Sequence, residues 1–402
     1  MRNKLLLLVS VLFLSLLLTS TSYSYPKFAA YTGEKCLSCH VNPTGGGMRN
    51  LFGVKYSKDN LFFKFLEKAN KTTDINPQIT KGISIGGDMR LLFVDNQIDT
   101  GIPNFNSFFQ MQGDLYVNAQ VNKYINVVIA PGLYIPNTFG PNPLPVKYEI
   151  YGMVSNLPAG LYFKVGRFIP NFGIKIPEHR AYNRIFNDFY TPYASDAGIE
   201  AGISPSFFTL TAGFSNGSSH NRNNQTNNSF DFDNQKQLTV SGDFRWAGKK
   251  NKYTAGLGGS FLTNPFKYDP NNNINALRQL AAGFVSIGLF ERVAILGELV
   301  YNRLDLRDTA STRSDFRTIF GELNARISKG IEIKFQYENY DPELGTKNST
   351  RERQRYSFGA VFFPLTGLEI ESIVRLVKEG KGPTDDFEIK NDEFQTVFKF
   401  YF

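Results

Sequence analysis

The chain closes on Glu393-Phe394-Gln395-Thr396-Val397-Phe398-Lys399-Phe400-Tyr401-Phe402, and this stretch decides the fold. Phe394, Thr396, Phe398, Phe400 and Phe402 fall on one side of a strand, opposite Glu393, Gln395, Lys399 and Tyr401. One face is aromatic and the other is charged or polar. In a soluble protein so long and apolar an edge strand is an aggregation hazard. Closing the sheet into a barrel removes the edge, and lipid then covers the apolar face.

The same period of two recurs upstream. Leu238, Val240, Gly242, Phe244 and Trp246 alternate with Thr239, Ser241, Asp243 and Arg245. Ile331, Ile333, Phe335 and Tyr337 alternate with Glu332, Lys334, Gln336 and Glu338, and Leu368, Ile370, Val374 and Leu376 with Glu369, Glu371 and Arg375. Strands of about 10 residues with one apolar face are the pattern of membrane-spanning β-strands. The periodicity predicts sixteen strands over 80–402: 80–94, 107–121, 124–136, 145–155, 158–168, 193–203, 206–215, 235–247, 251–265, 276–288, 291–304, 315–328, 330–342, 352–364, 366–378 and 390–402. Tight turns at Asn122–Lys123, Ser204–Pro205, Gly248–Lys250 and Ser328–Lys329 alternate with longer connections such as 216–234 and 379–389. Short periplasmic turns against long outer loops fit an outer-membrane barrel. The terminal Phe402 with alternate apolar residues before it resembles the assembly signal of bacterial outer-membrane barrels. The expected fold is mainly β, a sixteen-stranded antiparallel outer-membrane barrel with a small N-terminal segment.

Composition agrees. The 402 residues include 37 Phe, 20 Tyr and 35 Gly, which suit strands better than helices. An apolar share of 42% excludes global disorder. Lys and Arg are spread along the chain and make no block like a nucleic-acid arm, so the formal charge of +8 points to no nucleic-acid partner.

Residues 1–24 read as an export signal: Arg2 and Lys4, the apolar run Leu5 to Leu18, then Ser22 and Ser24 before Tyr25. The run is shorter than the ~20 residues of a spanning helix.

The two cysteines of the chain are Cys36 and Cys39, in Cys36-Leu37-Ser38-Cys39-His40. This spacing is that of a c-type haem attachment motif. Two thiols add to the two vinyl groups of one porphyrin, and the following His40 is placed as proximal iron ligand. A zinc site lacks a second Cys or His pair, a thioredoxin-like pair lacks a βαβ context, and a disulfide leaves the histidine unexplained. One covalent haem c is therefore the expected cofactor. Gly45, Gly46 and Gly47 allow either a turn or close approach to a flat porphyrin face. For the distal position the sequence offers Met48, His179 and His220, or no ligand. Residues 51–70 are expected to form short helices over the haem, and Asn70 to Gln78 a linker, so 25–79 is a haem segment too small to stand alone.

Two long connections differ. Residues 216–234 are Asn-rich and read as a solvated surface loop, which makes His220 incidental. Residues 169–192 carry Ile169, Phe172, Ile174, Ile176, Ile185, Phe186, Phe189 and Tyr190, too apolar for a loop in water. This third outer loop is expected to fold into the lumen, carrying His179 with it. Lumen-facing charges such as Glu332, Glu338, Glu369, Glu371, Lys334 and Arg375 are expected to brace the wall rather than guide ions.

Signal, haem motif and barrel in this order resemble the fused monohaem cytochrome–porin family of outer-membrane electron-transfer proteins. The shared residues are Pro26-Lys27-Phe28-Ala29, Thr32 and Gly33, Cys36 to His40, then Pro43, Gly47, Phe52 and Tyr56. The resemblance implies electron transfer at the outer membrane and the oxidation of ferrous iron or another extracellular donor. One haem cannot bridge a hydrocarbon layer of ~30 Å. Either the haem segment, otherwise periplasmic, inserts into the lumen, or a small donor enters the pore. A periplasmic cytochrome is the expected partner at the inner mouth. Where the family's iron oxidases carry a longer Pro-x-Leu-Thr-Pro-x-Gly segment, this chain has Asn42-Pro43-Thr44-Gly45-Gly46-Gly47. The sequence also allows a solute channel whose haem segment is a plug or redox sensor, and a structural barrel that anchors a periplasmic partner cytochrome.

Overall fold

A computed structural model describes residues 27–63, 75–98, 105–132, 148–187, 195–217, 234–248, 251–269, 274–307, 313–344, 351–379 and 391–402. The expected export signal, His220 and most of the Asn-rich loop lie outside these residues. Sixteen strands form one closed antiparallel barrel, each hydrogen-bonded to its neighbours in sequence, with the last joined to the first. They are β1 (Ile83–Ile98), β2 (Phe105–Gln120), β3 (Ile125–Pro131), β4 (Tyr148–Val154), β5 (Tyr162–Phe168), β6 (Asp196–Ile203), β7 (Phe208–Ser215) and β8 (Gln237–Ala247). The second half is β9 (Tyr253–Asp269), β10 (Ile274–Leu289), β11 (Val293–Arg307), β12 (Arg313–Ser328), β13 (Ile331–Asp341), β14 (Arg353–Leu365), β15 (Leu368–Glu379) and β16 (Asn391–Tyr401). The expected count is met. Boundaries differ where strands run past their apolar stretch: β1 continues to Ile98 through Asp95 and Asn96, where alternation fades.

The faces follow the alternation. Phe244, Trp246, Leu257, Ile333, Phe358 and Phe400 point outward and stay exposed, while Glu332, Gln336, Glu338, Arg375 and Gln395 point inward and are buried. Lipid on one side and a packed polar lumen on the other require this division. Among the described residues no helix is long and apolar enough to cross a membrane. β1 and β16 close the seam with Leu91 opposite Phe398 and Arg90 opposite Lys399.

Tight turns join the strands at one end. Between β10 and β11, Phe290 and Glu291 both take left-handed backbone, φ 55° and 56°, and Arg292 N donates to Leu289 O at 2.9 Å. Two successive positive φ values match the twist of a two-stranded hairpin. Gly330 and Gly367 (φ 90° and 80°) serve the next two turns.

The lumen is filled by two pieces of chain. Residues 27–63 enter at the tight-turn end. Thr254 Oγ1 donates to Ala30 O at 2.6 Å, Asn251 Nδ2 to Thr32 O at 2.8 Å and Phe63 N to Phe363 O at 2.9 Å. Residues 169–187, between β5 and β6, fold inward as the apolar pattern predicts. They cross the lumen: Ile174 N donates to Glu298 Oε1 on β11 (2.7 Å), Tyr182 N to Glu338 Oε1 on β13 (2.8 Å), and Arg180 pairs with Glu393 on β16 (2.8 Å). The apolar core lies where these pieces meet the wall, with Ala30, Tyr31, Ile174, Ile176, Ala181, Phe284, Leu296 and Phe320 packed together.

Candidate functional site

Cys36, Leu37, Ser38 and Cys39 make one helical turn, closed by His40 N donating to Cys36 O at 2.9 Å. The chain then doubles back as a small hairpin. His40 bridges Arg49, Val41 N donates to Met48 O at 3.1 Å, and Asn50 N donates to Cys39 O at 2.9 Å. The tip is the glycine run, with φ of 78°, 75° and 63° at Gly45, Gly46 and Gly47. A side chain at Gly45 would start 2.9 Å from Cys36 Sγ. Of the two roles open to these glycines, the turn is required by the backbone, and Gly45 also makes a close approach to the first cysteine.

A helix, Leu51–Asn60, follows. Asn50 caps it, accepting from Gly53 N at 3.0 Å. It is the one helix described within the 51–70 stretch. Gly53 lies against the motif so closely that a Cβ there would fall on the Cys39 carbonyl oxygen. The far end is pinned to the barrel seam by Ser57 and Tyr401, whose hydroxyls are 2.8 Å apart.

Neither cysteine is in a disulfide, and both line one cavity with His40, Met48 and the three glycines. The cavity measures about 410 Å³ and is bounded by barrel wall (Tyr116, Val128, Tyr151) and by Lys175, Ile176 and Pro177 of the luminal loop. This is within the ~300–1,000 Å³ of ordinary ligand pockets. Burial pushes the Cys39 thiol up to about 11, the opposite of the lowered thiols of disulfide exchange. Burial and the nearby Arg49 push His40 down to about 3, so its ring is neutral, the state that binds iron. Among the described residues His40 Nδ1 is buried with no hydrogen-bond partner. Two neighbouring thiols outside any disulfide, a neutral imidazole and a roomy cavity fit the haem that the motif implies.

Of the distal candidates, Met48 lines this cavity, buried against Tyr116 and Ala130. His179 is buried in the luminal loop, with Nε2 3.3 Å from Arg90 Nη1, and is not among the lining residues. Arg90 Nη1 also donates to Pro177 O.

The sequence reading missed the groups that hold the hairpin. Lys164 on β5 donates to Glu200 Oε1 at 2.7 Å and to Asn42 Oδ1 at 3.0 Å, fully buried. Lys175 Nζ donates to Thr44 Oγ1 at 2.7 Å and to Gly45 O at 3.4 Å. Burial and the neighbouring Lys164 lower Lys175 to about 8. Its one legible signal is a lone cation between Ile174 and Ile176. The charges expected to brace the wall do so. Lys334 pairs with Glu322 and Glu371, Arg355 with Glu338, Arg375 with Glu178 and Glu393, and Glu332 with Lys27 of the luminal segment.

The fold is that of sixteen-stranded outer-membrane porins. Similar solved structures include the anion-selective porin from Comamonas acidovorans (11% identity, TM-score 0.52, covering 80% of this chain and 99% of that one). The outer membrane channel DcaP of Acinetobacter baumannii has 10% identity and TM-score 0.54, covering 82% and 100%. OprB of Pseudomonas putida has 10% identity and TM-score 0.54, covering 80% and 94%. No protein-family model and no curated protein matches the sequence.

Proposed function

We propose that this chain is an outer-membrane electron-transfer protein that holds one covalent haem c inside its barrel. The observation that carries the reading is that Cys36, Cys39 and His40 line a single cavity enclosed by the barrel wall and the luminal loop. Cys36 and Cys39 would form the thioethers and His40 the proximal bond, with Met48 or His179 the candidates opposite. The haem, when bound, supplies a one-electron iron couple. The chain's own residues keep His40 neutral, exclude bulk water with Tyr116, Val128 and Tyr151, and fix the hairpin through Lys164 and Lys175.

The hairpin lies toward the tight-turn end, which in outer-membrane barrels is periplasmic. A periplasmic cytochrome would thus meet the haem from that side. A donor outside, such as ferrous iron or another metal ion, must exchange electrons past the loop 169–187, because one haem does not span a ~30 Å hydrocarbon layer.

Whole-cell spectroscopy with added ferrous iron or other donors, comparing wild type with Cys36→Ala, tests the reading. Wild-type cells should show reduction of the haem bands, and the variant should have no such bands. A wild-type haem that no external donor can reduce would remove the conduit function.

The second reading is a solute or ion channel whose N-terminal segment is a plug or redox sensor. The likeness to porins and to a named outer-membrane channel supports it, as does a lumen occupied by residues 27–63 and 169–187. It predicts conductance in a planar bilayer that changes when Cys36→Ala abolishes haem attachment.

A further inference from the structure

Five cations line the cavity: Lys35, Arg49, Arg90, Lys175 and Lys399. Three have an acidic group at hand. Arg90 Nε is 3.5 Å from Asp88, Lys399 is 4.0 Å from Glu369, and Lys35 has Glu34 beside it.

Arg49 and Lys175 are the two that also bond the motif hairpin. Arg49 stacks over the Tyr401 ring at 4.3 Å and shares Asp88, at 3.9 Å, with Arg90, which lies closer at 3.5 Å. Among the described residues Arg49 Nη1 is buried with no hydrogen-bond partner. Lys175 Nζ reaches two neutral oxygens, Thr44 Oγ1 and Gly45 O, and makes no ion pair among the described residues. A buried guanidinium N–H without an acceptor and an ammonium without an anion are both costly, and an anionic ligand would relieve both.

The two groups bracket the motif. Arg49 is paired through its backbone with His40. Lys175 bonds the carbonyl of Gly45, whose backbone lies against Cys36 Sγ. A haem tethered at Cys36, Cys39 and His40 brings two propionate carboxylates into this space, and a buried carboxylate requires a cation. We infer that Arg49 and Lys175 are the seats of the haem carboxylates, Arg49 through its planar fork of donors and Lys175 as a point charge. Both act as positioning residues. The assignment rests on the haem reading above.

The test uses the full chain purified in detergent, first stained for covalent haem and then titrated spectroelectrochemically at several pH values. Arg49→Gln and Lys175→Gln should each lower the haem midpoint potential, because losing a nearby positive charge favours the ferric state. The potential should also become more dependent on pH in the weakly acid range, where a released propionate takes up a proton. Arg49→Lys should restore most of the wild-type value. If both Gln variants carry haem at the wild-type potential and pH profile, the assignment is overturned and the haem reading stands. If wild type itself binds no covalent haem, the haem reading falls and takes the assignment with it. Should Arg49→Gln fail to insert, Lys175→Gln decides by the same two outcomes.

Discussion

Along β13 the order Ile331, Glu332, Ile333, Lys334, Phe335, Gln336 repeats a single instruction, apolar out and polar in. Between residues 36 and 49 no such period runs: two thiols, an imidazole, three left-handed glycines, a returning Met48 and Arg49 each hold a set place. The wall is redundant, since a neighbouring strand repeats what one residue loses. The luminal segment has no spare copy of anything. Substitutions should therefore act in opposite ways in the two regions.

The sharpest break is expected at the motif. If the proposed haem is bound, Cys36→Ala or Cys39→Ala should abolish its full covalent attachment, read by haem staining after denaturing electrophoresis, while the barrel keeps its heat-modifiable mobility. A variant barrel that fails to form would mean that the wall depends on the segment it encloses. Next in size is the buried link between the regions. Lys164→Met leaves Glu200 buried without its cation and releases Asn42, so unfolding in denaturant should show a loss of about 3–5 kcal/mol. A loss like that of an ordinary surface change would show that the pair is not a mainstay of the wall.

Gly53→Val tests the helix contact. The new side chain must push the helix off the Cys39 carbonyl, at about 1–3 kcal/mol for such overpacking. Haem loading per barrel should fall. Loading equal to wild type would show that the helix moves freely against the motif.

Acid should loosen the luminal loop before the wall. Against the penalty of burial, Arg375 holds the Glu178 carboxyl well below its ordinary value of 4.5. A depressed carboxyl stabilises the fold above its unfolded pKa, and this contribution is lost as pH falls from 4.5 toward the folded value. The stability difference between wild type and Glu178→Gln should hold at neutral pH and shrink below about 4.5, as measured by denaturant unfolding at each pH. A difference independent of pH would remove the ion pair as its cause. Smallest of all, Leu238→Ile on the outward face should change stability by no more than about 0.5 kcal/mol.

The same contrast explains what could be read from the sequence. Strand number, the inward loop and the facing of Glu332, Lys334 and Arg375 were legible, because lipid and lumen impose a period that many residues repeat. The apolar loop stood out because Phe172, Ile174 and Ile176 have no place in water. The contacts that lodge residues 27–63 inside the barrel were not legible. They join single residues far apart in the chain, such as Lys27 with Glu332 and Asn42 with Lys164, and no period announces them. The placement of His179 beside Arg90 has the same cause.

Every closed barrel has one joint where strands from opposite ends of the chain must find each other, and that joint bears the largest closure entropy. Here the enclosed segment touches both sides of it. Arg49 lies between Asp88 of β1 and the ring of Tyr401 of β16, and Ser57 meets the Tyr401 hydroxyl. The segment works as a clasp, fastening from inside the one joint that local pairing cannot prepare.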